Sequence, residues 1–127
     1  KSEVIIESPF IACKRTDDLL PELSKLCKRG VKVRINTRNP NHHDKELRIQ
    51  AWVSMKKLRN VGVKVKTYDD MRHRKLATID ELVLWEGSLN IMSQSYSKEM
   101  MRRTESEVLC KQMIQFTGIN RWGWWYD

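Results

Sequence analysis

The chain reads as an α/β domain built on a largely parallel sheet covered by helices. Three observations lead there. Short apolar, β-branched runs alternate with two longer segments of helical periodicity, in the order strand, helix, strand, helix, strand. The joints repeat a local pattern: residues 25–33 read KLCKRGVKV and residues 57–65 read KLRNVGVKV, each a helix end, a glycine cap and a strand. Connections of this kind are right-handed crossovers between parallel strands. The echo reflects the shared grammar of βα units rather than a duplication.

Taken in order, residues 3–11 (EVIIESPFI) give a buried strand that Ser8-Pro9 converts to a loop. Thr16 or Asp17 caps a helix carrying Leu19, Leu20, Leu23, Leu26 and Cys27 at helical spacing, and Gly30 ends it. Residues 31–37 (VKVRINT) alternate as a strand, and residues 38–45 (RNPNHHDK) are rich in turn formers. A second helix spans residues 46–60 and ends near Gly62; residues 63–68 (VKVKTY) form the next strand. Residues 72–79 and 82–86 read as a hairpin turning at Asp80-Glu81. A short helical or irregular stretch follows Asn90, then a strand at 99–104 and an amphipathic helix at 106–118 with Val108, Leu109, Met113, Ile114 and Phe116 on or near its apolar side. Residues 1–120 make one domain, followed by an aromatic tail, RWGWWYD, at 121–127. Trp122, Trp124, Trp125 and Tyr126 could stack on bases, but a tail packed on its own core is the simpler expectation.

The 127 residues suffice for one core and not for two. With 24 Lys and Arg against 16 Asp and Glu, the net charge is +8, a balance suited to nucleic acid or an anionic membrane surface. Cys13, Cys27 and Cys110 are odd in number and lack metal-ligand spacing, so they read as small core residues of a reducing compartment, the cytoplasm. No signal peptide and no apolar run long enough to span a bilayer is evident. A strand beginning almost at Lys1 is expected of a piece cut from a longer protein.

The most specific signal is HRKLATIDELVLWEGSLN at residues 73–90, which reduces to His73-x-Lys75, Asp80 and Gly87-Ser88-x-Asn90. In an extended segment His73 and Lys75 share one face, as do Ser88 and Asn90 on the adjoining one. An imidazole can attack phosphorus, an ammonium can hold the non-bridging oxygens, and hydroxyl and amide groups can donate to the same phosphate. Gly87 permits close backbone approach, and Asp80, at the turn, braces the site rather than touching substrate. Arg38, Arg72 and Arg74 lie at strand ends or beside the motif and are candidates for nucleic-acid backbone contacts. His42-His43-Asp44 invites a metal reading, but adjacent loop side chains rarely share one ion, and a solvated loop is the better reading.

These residues resemble the motif of the phospholipase D superfamily. IIESPFI, KRGVKVRINTR, HRKLATID, GSLNIMS and SKEMMRR extend the resemblance over most of the chain, and are similar to the PLD-like domain appended to the C-terminus of certain bacterial helicase or AAA-type ATPase proteins. The resemblance implies a mixed, largely parallel sheet flanked by helices on both faces. It further implies metal-independent hydrolysis of nucleic-acid phosphodiesters through a phosphohistidine, with no cofactor. His73 would be the nucleophile, Lys75, Ser88 and Asn90 would hold the phosphate, and a downstream glutamate would orient the histidine. Glu99 is preferred for that role over Glu105, although Ser97 stands where the family pattern commonly has Asn. The family's site is assembled from two motifs; this chain carries one, so a homodimer is expected, with a helicase or ATPase domain as a further partner. The alternatives are a phospholipid-cleaving or phosphatidyl-transferring enzyme, for which the sequence shows no apolar membrane-facing surface, and a non-cleaving nucleic-acid-binding module.

Overall fold

Strand β1 (Glu3–Glu7) is the strand from which the rest of the sheet is laid down. The computed structural model describes residues 3–94 and 99–120. On one side β1 pairs in parallel with β2 (Lys32–Arg38), which pairs in parallel with β3 (Lys64–Tyr68). On the other it pairs antiparallel with β4 (Leu76–Ile79), and β5 (Val83–Gly87) and β6 (Met101–Glu105) continue antiparallel. The order is β3-β2-β1-β4-β5-β6, a mixed sheet whose parallel half is built from the two echoing βα units.

Helices α1 (Cys13–Lys28) and α2 (Lys45–Asn60) cover one face, and α3 (Glu107–Thr117) the other. Alternation along β1 makes this possible. Ile6 joins Val33, Ile35, Val65 and Ala77 beneath Leu23, Met55 and Leu58, while Ile5 joins Leu76 and Leu84 against Cys110, Ile114 and Ile119. The two echoing corners also touch: a Cβ added at Gly62 would lie 3.2 Å from the Cβ of Cys27. All three cysteines are free thiols. No helix among the described residues is long and apolar enough to cross a membrane.

Three elements depart from expectation for physical reasons. Helix α1 begins at Cys13, not at Thr16 or Asp17, and its N-cap Ala12 offers no side-chain bond. Distant partners satisfy the first turn instead: Ala12 N–H donates to the Met92 carbonyl (3.0 Å) and Cys13 N–H to Gln50 Oε1 (3.1 Å). Thr16 is consequently fully buried inside the helix rather than capping it. Strand β4 begins at Leu76, later than expected, because β1 pairs with it only as far as Glu7. On α3 the core side is Cys110, Met113 and Ile114; Val108, Leu109 and Phe116 are exposed, because a single helix covers this face and nothing among the described residues packs outside it. The β4–β5 hairpin turns at Asp80 and Glu81 as expected, both at positive φ (54° and 56°).

Leu58 is fully buried between α2 and the sheet. Replacing it with Ala is expected to lower unfolding free energy by about 2–5 kcal/mol, read by urea denaturation. A loss well under 1 kcal/mol would contradict this packing.

Candidate active site

The carboxyl ends of β1, β2 and β3, the start of β4, the end of β5 and the start of β6 all fall at one edge of the sheet. Ligands of open α/β sheets gather at such an edge, outside the carboxyl ends of the parallel strands. His73, Lys75, Gly87, Ser88, Asn90 and Glu99 all lie there. A hollow of about 620 Å³ opens at the other end of the sheet, but its walls are the echoing helix-to-strand corners, away from every motif residue.

Lys75 immediately precedes β4, and the Gly87 N–H donates to its carbonyl (3.4 Å), which clips the two halves of the motif together. Lys75 Nζ is exposed and donates to the His73 carbonyl at 2.8 Å. The His73 ring lies 6.1 Å, centroid to centroid, from Phe10, and the other neighbour of Phe10 is His43, at 5.0 Å. Burial, reinforced by the Arg38 charge, pushes the His43 imidazole below its ordinary pKa, so this ring is neutral at pH 7. Phe10 was not singled out in the sequence, and His43, read there as part of a solvated loop, is instead buried against the Phe10 ring.

Gly87 is required by its surroundings: a Cβ there would meet the Met100 carbonyl oxygen at 2.0 Å. Ser88 grips the same residue twice, its N–H donating to the Met100 carbonyl (2.9 Å) and its Oγ accepting from Met100 N–H (3.1 Å). The Ser88 hydroxyl proton has no acceptor among the described residues. Asn90 opens a turn, its N–H donating to Gln94 Oε1, and its own Oδ1 is buried without a hydrogen-bond partner among the described residues.

Register separates the two glutamates. Met101 pairs with Gly87 and Met100 bonds to Ser88, so Glu99, the next residue out, falls at the motif end of the strand, exposed. Glu105 pairs with Val83 at the far end of β5 and contacts Arg103 (3.6 Å). Ser97 lies outside the described residues. Asp80 is also distant: its carboxylate accepts from Glu3 N–H (2.7 Å) and its own N–H donates to the Glu3 carbonyl (2.8 Å). It braces the hairpin turn against the start of β1, not the motif edge directly.

The arginines diverge. Arg38 Nη2 contacts Met71 Sδ (3.1 Å), and its buried Nε has no partner among the described residues. Arg74 turns inward, Nε donating to Glu7 Oε2 (3.0 Å) and Nη2 to the Thr117 carbonyl (3.2 Å). Arg72 chelates Asp70 through Nε (2.8 Å) and Nη2 (2.6 Å), stands over the Tyr68 ring (4.3 Å), and faces Glu7 Oε1 at 3.8 Å. The expectation of phosphate contacts thus meets, at Arg72 and Arg74, side chains already committed to protein carboxylates. Burial, with the Glu7 charge behind it, pushes the Tyr68 phenol up. One signal in the sequence went unread: Glu7 directly follows the apolar run Val4-Ile5-Ile6 within β1.

His42, His43 and Asp44 each find a different partner: His42 Nε2 meets Asp69 (3.2 Å), His43 packs on Phe10, and Asp44 caps α2 by accepting from Leu47 N–H (3.1 Å). They do not converge.

A mixed six-stranded α/β fold with this motif at its strand-end edge defines a PLD-like domain. The chain belongs to that family: residues 1–119 match the family described as cardiolipin synthase, PLD-like domain. No curated protein sequence matches it. Its fold is similar to that of Nuc, a phospholipase D family member from Salmonella typhimurium, with a TM-score of 0.67, 18% identity, and coverage of 90% of this chain and 74% of Nuc. It is similar to NucT from Helicobacter pylori, with a TM-score of 0.64, 18% identity, and coverage of 91% and 76%. The archaeal chromatin protein TrmBL2, whose structure shows a novel mode of DNA binding, gives a TM-score of 0.54 at 16% identity, covering 91% of this chain and 42% of that one. At these identities the likeness is one of fold.

Two outcomes follow from this geometry. Gly87→Ala is expected to cost about 1–3 kcal/mol in urea unfolding, because Met100 and the start of β6 must move away from the added Cβ; an unchanged midpoint would refute the close approach. The Arg72 guanidinium holds the Asp70 carboxyl down to about 2. A folded-state value below the unfolded one, about 3.9, stabilises the fold above the unfolded value, and that contribution is lost as pH falls from about 4 through about 2. Asp70 is well exposed, so the effect on stability is small. Carboxyl NMR should find Asp70 titrating near 2, and near 4 in Arg72→Gln; equal midpoints in the two proteins would dismiss the pairing.

Proposed function

We propose that this protein is a metal-independent phosphodiesterase that cleaves nucleic acid through a phosphohistidine, with its site completed by a second copy of the chain. The observation that carries the reading is that the Gly87–Lys75 and Ser88–Met100 backbone bonds gather His73, Lys75, Ser88, Asn90 and Glu99 at one sheet edge. An imidazole nitrogen of His73 attacks phosphorus, and a P–N bond forms as the bond to the leaving oxygen breaks. The partner subunit's His73 gives its proton to that oxygen. Water then attacks phosphorus, loses its proton to the partner subunit's His73, and the P–N bond breaks to return free imidazole. Lys75 holds the non-bridging oxygens as a point charge, and Ser88 and Asn90 donate to them. Glu99 fixes the tautomer of the imidazole by accepting from its second nitrogen.

Nucleic acid is favoured by the net charge of +8 and by Arg38 near the edge. TrmBL2, which shares the fold, binds DNA. A helicase or ATPase partner in a longer parent would supply single strands to such a site. A second reading, phosphatidyl transfer, has its own support: Met71 and Met100, 70% and 80% exposed, flank the motif, and the family description names cardiolipin synthase.

Cleavage of labelled single-stranded and duplex DNA and RNA in excess EDTA, beside His73→Ala, tests the first reading. The variant is expected to lose on the order of 10⁴-fold or more in rate. Cleavage that survives the substitution would defeat the mechanism. Turnover of anionic phospholipid vesicles, with nucleic acids left intact, would transfer the assignment to the second reading.

A further inference from the structure

Glu7 has no place in the chemistry above, yet its environment is the most unusual in the molecule. Its carboxylate is fully buried, on the strand position after Ile5 that faces α3, where Ile5, Leu76, Leu84 and Ile114 are apolar. Four side chains surround it. Arg74 Nε donates at 3.0 Å, Arg72 Nη1 stands at 3.8 Å, Asn36 Nδ2 lies at 3.5 Å, and the Tyr68 ring closes the group beneath Arg72. Asn36 and Arg74 each reach on to the chain at the end of α3, at the carbonyls of Ile119 (3.1 Å) and Thr117 (3.2 Å). A buried charge held by two cations is costly to assemble and strongly directional once assembled.

What it directs is the segment that carries the proposed nucleophile. Arg74 is the residue between His73 and Lys75. In an extended chain, pinning residue 74 to one face turns residues 73 and 75 to the other. The ladder cannot do this, because β4 begins only at Leu76 and residues 72–75 lie beyond the pairing with β1. The second consequence is electrostatic. Arg72 and Arg74 sit beside the proposed phosphate site; Glu7 keeps the Arg74 guanidinium from it, and Asp70 holds that of Arg72, with Glu7 at 3.8 Å.

We propose that Glu7 is a positioning residue: by clamping Arg74 on the α3 face, with Arg72 behind it on Asp70, it aims His73 and Lys75 at the scissile phosphate and withholds a competing cation from the substrate. The inference rests on the function proposed above, but its structural half can be read without turnover. With Glu7 neutralised, the 72–75 segment loosens, and the released Arg74 binds the ground state of the substrate instead of helping the reaction, while Arg72 stays on Asp70.

The test uses Glu7→Gln, which keeps the shape and removes the charge, in protein labelled with ¹⁵N-histidine; His42, His43 and His73 are the only imidazoles in the sequence. The His73 ring resonances are expected to shift or broaden while those of His42, paired with Asp69, stay in place. In cleavage assays kcat should fall on the order of 10-fold to 100-fold, with KM unchanged or lowered and a steeper loss of DNA affinity with salt. Ile114→Val, a mild cavity on the same helix, serves as the control and should reproduce neither effect. If Glu7→Gln does not fold, Arg74→Gln cuts the same clamp while leaving Glu7 paired with Arg72, and the same His73 shift is required. A folded variant with unmoved His73 signals overturns the proposal. So does a rise in KM with kcat unchanged. Should the wild-type protein cleave nothing, the NMR result still decides the clamp, and only the function falls.

Discussion

The end of β1 is the constraint on which the edge of this sheet depends. Within four residues it reaches each part of the motif. Glu7 anchors Arg74, between His73 and Lys75. Ser8 Oγ accepts from Met92 N–H (3.2 Å), two residues past Asn90, and donates to the Phe10 carbonyl (3.0 Å). Phe10 places its ring between His43 and His73. The two motif halves come from a strand start and a strand end: Gly87 and Ser88 are held by β6 and Met100, whereas His73 and Arg74 precede β4 and lie beyond its pairing with β1. Side chains of β1 and its following loop supply the missing restraint.

That restraint is expensive, which is why it is informative. Taking a carboxylate out of water costs several kcal/mol even after relaxation, and an apolar residue at position 7 would have extended the cluster around Ile5 at no such cost. The ion cluster exchanges stability for direction. It also links three elements: β2 through Asn36, the β3–β4 connection through Arg72 and Arg74, and the carboxyl end of α3 through Thr117 and Ile119. The Glu7 carboxylate is partnered on both oxygens, so a shift of either arginine leaves a charge without its partner, while Asn36 Oδ1 and the Tyr68 hydroxyl are buried without a partner among the described residues.

The motif residues border two shallow hollows, one of about 340 Å³ at Lys75 and Gly87 and one of about 250 Å³ at Gly87 and Met100. The motif edge is open, and β6 approaches so closely at Gly87 that a side chain there is excluded. A site with one wall is what a second copy could complete, and the exposed Met71 and Met100 on either side of it are surfaces for a partner or substrate to cover.

Much of this was legible in the linear sequence because it depends on local chemistry. Glycine caps at Gly30 and Gly62, two-residue alternation and the Asp80-Glu81 turn fix element type by φ/ψ preference and side-chain period alone. The spacing of His73, Lys75, Gly87, Ser88 and Asn90 marked the family, to which residues 1–119 belong, because such spacing survives wherever the strands happen to lie. Tertiary structure decided what depends on partners far along the chain. Helix α1 starts at Cys13 because Met92 and Gln50 satisfy its first amides. Glu99 and Glu105 differ only in which end of β5 the register of β6 assigns them. Arg74 looks like a surface cation in sequence and turns inward because Glu7, more than sixty positions earlier, is buried beside it, whereas Arg72 is held by its near neighbour Asp70 and faces Glu7 at 3.8 Å. A charge's role is set by the charge it meets, and that meeting exists only once the sheet has formed.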